Sequence, residues 1–239
     1  MARLRAVLPA AALLLALTGC SGVWVPEAVE NRVGEQVTRS VLKTMPPLSD
    51  PRWQQYVEGL GRKIVAVSER PNYHYRFYVV DSDAINAFAV PDGSIFVTTG
   101  LLKLVGQDQL ALAGVLAHEV GHVARRHGAE TIQRQMGFGT LRFLVFGFEG
   151  SALADLTGQI VGLGYGREME LEADLCAMRY LTRLGYPPDA SLGFLRSLLV
   201  IEKDQPSSVG KYLLSHPPTA DRIRYAEDYT RQYLKTKNP

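Results

Sequence analysis

Hydrophobic positions along this 239-residue chain repeat with different periods in different stretches, and each period predicts an element. From Glu27 to Thr44, valines recur every four residues at Val29, Val33, Val37 and Val41, which predicts an amphipathic helix that Met45-Pro46-Pro47 stops. A second helix is expected from about Arg52 to Val67, ending before Arg70-Pro71-Asn72. The pattern then changes. Tyr73 to Val80 is rich in aromatic and β-branched residues and reads as a strand. Ile85–Val90 and Ile95–Thr98 flank Pro91-Asp92-Gly93-Ser94, whose turn chemistry predicts a hairpin. From Gly100 onward nearly everything reads as helix, ending in a terminal helix over Thr219–Lys235 whose mixed charges suggest a solvated face. No repeat of 20–50 residues is present, which argues against a solenoid or propeller. The fold class expected is α+β, mostly helical, with one small β-sheet.

Two stretches depart from this plan. Gly137 to Gly166 holds eight of the 22 glycines, with Gly147 and Gly150 dividing it into apolar pieces too short to cross a membrane. It reads either as a pair of core helices with a flexible joint or as a segment that moves over the active site or touches lipid. At the N-terminus, Arg3 and Arg5 precede the apolar run Ala6–Leu17, which is shorter than the roughly 20 residues a bilayer demands. A short basic segment followed by a short apolar one is the pattern of a secretory signal peptide. Its ending, Leu17-Thr18-Gly19-Cys20, resembles the lipobox of bacterial lipoproteins. That resemblance implies a leader over residues 1–19, a lipid on Cys20, a linker over residues 20–26, and a single domain over 27–239. With Ser21 after the cysteine, the expected location is the outer membrane, with the domain facing the periplasm.

Composition sharpens this picture by exclusion. A chain 46% hydrophobic and 21% charged can bury a core. Two cysteines are too few for a disulfide scaffold, and with Cys20 lipidated, Cys176 reads as a buried, inert thiol. The 26 basic and 24 acidic residues leave a net charge of +2, which gives no basis for nucleic-acid binding. Removing the leader takes away Arg3 and Arg5, so the remaining chain carries 24 of each sign and is formally neutral.

The chemistry lies in His118-Glu119-Val120-Gly121-His122, at the end of the apolar helical run Gln109–Ala117. Residues four apart on a helix lie about 40° apart, so both imidazoles leave one face at a spacing suited to a single metal ion. Glu119 is offset by about 100° and can reach a water without taking a coordination place. Zinc catalysis requires such an arrangement, with one position left open. The apolar run implies that this helix is buried, unlike a surface helix with two incidental histidines.

A third ligand should be His, Asp or Glu. His127 is about 180° around the helix from His118 and reads as a helix-end histidine. His74 falls within a strand pattern and reads as a surface or packing residue. There remain His216 and the cluster Arg167-Glu168-Met169-Glu170-Leu171-Glu172-Ala173-Asp174. Glu170 and Asp174 share a helix face, so one carboxylate can ligate while the other accepts the distal N–H of a ligating histidine. Glu168 and Glu172 point elsewhere and are expected to be solvated.

HEVGH followed by R-E-M-E-L-E-A-D resembles the gluzincin metallopeptidase family of HtpX, BepA, LoiP and the CAAX prenyl proteases of the Ste type. Asn86-Ala87-Phe88-Ala89-Val90-Pro91-Asp92-Gly93, then Ile95–Leu102, is similar to that family's strand pair before the zinc helix. Ser215-His216-Pro217-Pro218, with Arg222-Ile223, is similar to its late S-H-P…R-I segment. The resemblance covers about Tyr73 to Ala226 and, given the lipobox, lies nearest the periplasmic lipoprotein members such as LoiP. It implies a zincin-like domain holding one zinc ion on His118, His122 and Glu170. Glu119 would be the general base and Asp174 the orienting acid. One departure is Gly166, where many relatives have Ser.

The activity implied is peptide-bond hydrolysis of unfolded or damaged envelope proteins, with Glu119 moving a proton from water to the leaving amine. The strand around Ile95–Thr98 is expected to receive substrate as an added strand. His216 is open between three roles: oxyanion stabiliser, occupant of zinc's fourth position that keeps the enzyme latent, or surface histidine. Arg222 is an auxiliary candidate for the same pocket. A different class of function, a chaperone-like factor acting with the outer-membrane assembly machinery, would use the same residues.

Overall fold

The computed structural model describes residues 23–105, 108–133, 157–158, 165–188, 190, 193–194, 196, 216 and 220–237. The expected leader over residues 1–19, Cys20 and most of the glycine-rich stretch lie outside the described residues. Helix α1 (Glu27–Thr44) turns Val33, Val37 and Val41 inward, as the four-residue valine spacing requires. Helix α2 (Pro51–Ala66) starts with Pro51 in its first turn, capped by the Asp50 side chain, which accepts from the Arg52 backbone N–H. Three strands follow: β1 (Arg76–Val80), β2 (Ala87–Ala89) and β3 (Ser94–Thr98). Helix α3 (Thr99–Val105) leaves β3 directly. Helix α4 (Gln109–Ala124) carries the HEVGH motif, helix α5 (Arg167–Arg183) the carboxylate cluster, and helix α6 (Ala220–Lys237) closes the chain. The result is α+β and mostly helical. No helix among the described residues is long and apolar enough to cross a membrane.

The sheet order is β1-β3-β2, with β1 parallel and β2 antiparallel to β3. The hairpin forms at the Pro-Asp-Gly-Ser turn, where Gly93 adopts φ +83° and a Cβ would collide with the His74 carbonyl oxygen. Asp92 fixes this turn from inside. It is buried, accepts from the Ser94 N–H, and binds Thr38 of α1 and Arg76 of β1. The pairing overturns one expectation: Ile95–Thr98 is the central strand, hydrogen-bonded on both sides, and cannot take up a further strand. The outer side of β1 is occupied too, by Pro46–Leu48 and by Gln54, which bonds both the carbonyl of Phe77 and the N–H of Val79. Among the described strands, β2 is left with its outer edge unpaired by another strand. His74 precedes β1, is exposed, and takes no part in the sheet.

The main core joins α2, the sheet, α4 and α5, with Ile64, Ile95, Val97, Leu112, Leu116, Met178 and Leu181 fully buried. Helix α4 is buried on every side from Leu112 to Ala124, which explains why its sequence is apolar all round rather than amphipathic. Its most extensive neighbour is α5. Gly121 makes that approach possible: a Cβ there would lie 3.1 Å from both the Ala173 carbonyl oxygen and the Cys176 Cβ. Cys176 is itself buried, as expected.

Candidate metal centre

Two helices bring the chemistry together. On α4, His118 and His122 leave the same face, with their Nε2 atoms 2.9 Å apart. On α5, Glu170 lies in the first turn, where the positive end of the helix dipole favours a carboxylate. Its oxygens stand 3.4 Å from the Nε2 of each histidine. Gly166 occupies the N-cap of α5 with no side-chain hydrogen bond, so the helix starts at Arg167 without the cap a Ser would supply. Asp174, one turn further, accepts from His118 Nδ1 at 2.9 Å. The spacing Glu-x-x-x-Asp therefore divides the labour, one carboxylate facing the ring nitrogens at the centre and the other steadying a ring from behind.

His216 arrives from the late segment. Its Nδ1 lies 3.3 Å from His118 Nε2 and 3.1 Å from Glu170 Oε1, and its Nε2 lies 3.5 Å from Glu119. Arg222 of α6 is buried and spans both carboxylates, 2.6 and 2.7 Å from Asp174 and 2.8 Å from Glu170. The terminal helix is thus not only a solvated face, since its Arg222 reaches the centre.

The donor set fits a zinc ion. One ligand atom from each of His118, His122, Glu170 and His216 lies within 4.8 Å of the others. With Zn–N and Zn–O bonds of about 2.0–2.2 Å, ligand atoms of a tetrahedron stand roughly 3.3–3.5 Å apart. The separations among the Glu170, His118, His122 and His216 atoms run from 2.9 to 3.4 Å, near or somewhat inside this range. Glu119 is fully buried, its carboxylate facing the Ala89 backbone N–H and, at 3.5 Å, His216 Nε2, with no close side-chain hydrogen bond to either oxygen among the described residues. A buried carboxylate left this way is costly unless a ligand or water completes it.

The electrostatics follow from burial. Desolvation pushes Glu119 up from the ordinary carboxylate range. Burial alone would also raise Glu170, but the adjacent His216 and His118 hold it well below that range. Burial would raise Asp174, yet the Arg222 guanidinium and His118 keep it low. His118 is drawn down by burial, and its bonds to Asp174 and Glu170 outweigh this and push it up to about 10. Burial sets His122 well below the imidazole range. Three buried carboxyl groups and one guanidinium thus share the centre, and their charge is balanced when His118 holds a proton or a cation takes its place.

Several residues that spacing did not single out belong here. Tyr165 stacks on His122, with ring centroids 3.9 Å apart and planes 17° from parallel. His127 turns back to His122, because α4 ends at Ala124 and Arg126 takes φ 60° in the turn that follows. The 180° placement of His127 assumed an unbroken helix, and Arg125-Arg126 carries no Gly or Pro to signal the break. Glu172, expected to be solvated, is only partly exposed and accepts from His127 and Arg125. Glu168 is exposed as expected.

The sequence was compared with known proteins. A protein-family model described as Peptidase family M48 matches residues 51–230. The Beta-barrel assembly-enhancing protease of Yersinia pestis is 29% identical over 97% of this chain and 50% of its own. That of Escherichia coli (strain K12) is 28% identical over 85% and 44%. The Mitochondrial metalloendopeptidase OMA1 of Schizosaccharomyces pombe is 30% identical over 73% and 52%. The chain thus spans about half the length of these relatives. Since the matched stretch takes in α4, α5 and the start of α6, which converge on one buried centre, the chain is a member of peptidase family M48.

Proposed function

We propose that this chain is a zinc-dependent endopeptidase of the bacterial envelope, with His118, His122 and Glu170 as metal ligands and Glu119 as the general base. The observation that carries this reading is the convergence of those ligand atoms beside the fully buried carboxyl group of Glu119. Bound zinc supplies Lewis acidity, lowering the pKa of water and polarising a carbonyl oxygen. Glu119 takes the proton of the water that adds to the scissile carbonyl carbon, and delivers it to the amine as the C–N bond breaks. Its raised pKa makes it a stronger base than an exposed carboxylate. Asp174 orients the His118 ring, and Arg222 offsets the two carboxylates behind it. A polypeptide would add to the outer edge of β2, which reads backbone more than side chain and suits unfolded clients.

His216 fits latency better than oxyanion stabilisation, since its Nδ1 lies among the candidate ligand atoms, 3.3 Å from His118 Nε2 and 3.1 Å from Glu170 Oε1. The site residues from His118 to His216 are all nearly inaccessible, so access for a polypeptide requires His216 and Tyr165 to move. We place the chain on the outer membrane through a lipid on Cys20, facing the periplasm. Val25 is buried and its carbonyl accepts from Arg126 at 2.6 Å, so the five residues between that point and an anchor on Cys20 could reach at most about 17 Å. A second reading, a factor that assists outer-membrane protein assembly with little cleavage, is favoured by the burial of the centre and by the name of the Yersinia and Escherichia relatives, beta-barrel assembly-enhancing protease.

Glu119→Gln tests both. Loss of cleavage of an unfolded protein with zinc retained supports the peptidase. Rescue of a deletion strain by the same variant would assign the function to binding instead.

A further inference from the structure

We propose that His127 is a positioning residue for His122, linking that metal ligand to Glu172 through a two-step hydrogen-bond relay. The inference rests on the reading of His118, His122 and Glu170 as zinc ligands. His122 directs Nε2 toward the centre, 2.9 Å from His118 Nε2. An imidazole that offers the Nε2 lone pair to a metal carries its proton on Nδ1. That Nδ1 lies 2.9 Å from His127 Nδ1. Two N–H groups cannot face each other, so His127 Nδ1 accepts and its own proton sits on Nε2. His127 Nε2 lies 3.1 Å from Glu172 Oε2, an acceptor. Every proton in the series Glu172, His127, His122 is thereby assigned.

The two zinc histidines are then held by the same logic at different reach. His118 donates directly to Asp174 at 2.9 Å, whereas His122 reaches its carboxylate through an intervening ring. His127 is aimed by the break after α4. Arg126 adopts φ 60°, and its guanidinium is held by buried Glu30 of α1 at 2.7 and 2.8 Å and by the Val25 carbonyl. A residue in the left-handed region persists only where its surroundings fix it. Residues 127–133 then start a new helical stretch that leaves His127 buried against His122.

The test is zinc affinity of the full chain by competition with a chromogenic chelator, with far-UV circular dichroism as the fold control. His127→Leu removes the acceptor, and His127→Asn places an amide oxygen near the lost Nδ1. His127→Leu should weaken zinc about ten- to hundredfold and His127→Asn should recover to within about threefold of the parent. In the zinc-loaded parent, nitrogen-15 NMR should find His127 neutral and protonated on Nε2. Equal affinity of His127→Leu and the parent, equal loss in both variants, or a proton on His127 Nδ1 would overturn the relay. If His127→Leu does not fold, Glu172→Ala decides, since the partly exposed carboxylate can be removed without opening the core: weaker zinc supports the relay and unchanged zinc overturns it. A parent that fails to bind zinc would instead bring down the ligand assignment beneath it.

Discussion

His216 brings a fourth candidate ligand atom to the centre, 3.1 Å from Glu170 and 3.3 Å from His118, and in the latent enzyme proposed above that approach would close the centre to a polypeptide. At this scale the expected outcome for His216→Ala is a several-fold gain in cleavage of an unfolded reporter protein, measured at saturating zinc. A large loss would point to the oxyanion role, and no change would remove both. Cys176 gives a second residue-level expectation. Burial pushes its thiol up to about 11, because the thiolate is the form that loses hydration. The folded chain therefore gains from the neutral thiol below about pH 8.5, the unfolded value, and loses that gain as pH climbs through the folded one. In a Cys20→Ser background Cys176 is the only thiol, so native protein at pH 8 should react slowly with iodoacetamide and rapidly in urea. Fast native labelling would contradict the burial argument. His118, Glu119, His122, Glu170 and Asp174 were legible because they sit at helical spacings within two short segments. His127 and Tyr165 were not, since their contacts with His122 depend on a turn and on packing between distant segments.

Between elements, the contact of α4 with α5 decides whether the ligands meet. Gly121 sits in the middle of that contact, with the added Cβ 3.1 Å from both Ala173 and Cys176. Gly121→Val would force branched atoms into this space, and overpacking of this kind costs about 1–3 kcal/mol. Moving α5 also moves Glu170, so the variant should lose both melting temperature and zinc affinity. Gly59→Ala is the comparison: Gly59 is exposed, nothing lies within 4 Å of a Cβ there, and α2 should gain about 0.5–1 kcal/mol. Equal effects of the two substitutions on zinc binding would separate the site from the helix contact. The helices and the hairpin were readable from period and from Pro-Asp-Gly-Ser, both local signals. The central place of β3 was not, because its parallel pairing with β1 joins segments whose register no local pattern states.

For the whole molecule, zinc binding and folding should be coupled. The centre is assembled from α4, α5, residue 216 and α6, segments far apart in the chain, and it holds three buried carboxyl groups against the single guanidinium of Arg222. A ligand that binds only the folded state stabilises it by about 2.7 kcal/mol at a hundred times its Kd, which for a chain of this size raises Tm by roughly 5–11 °C. Differential scanning calorimetry with zinc and then with a chelator checks this, and an unchanged Tm would argue against a built metal site. The N-terminal end takes part as well. The Trp24 N–H donates to Gln133 Oε1 at 2.8 Å, and Arg126 ties Val25 and Glu30 to the turn behind the zinc helix. An anchor on Cys20 would therefore pull on the same turn that aims His127.

The amino-acid sequence by itself determined the parts whose chemistry is local: the two histidines and glutamate of HEVGH on one helix, the paired carboxylates one turn apart, and the Pro-Asp-Gly-Ser turn. Helical and strand periods place such groups on a face without reference to the rest of the chain. Only the tertiary structure decided which strand is central, that α6 delivers Arg222 to both carboxylates, and that His127 serves His122. Those relations arise where segments far apart in sequence are pressed together and each buried polar atom takes whichever partner lies within reach.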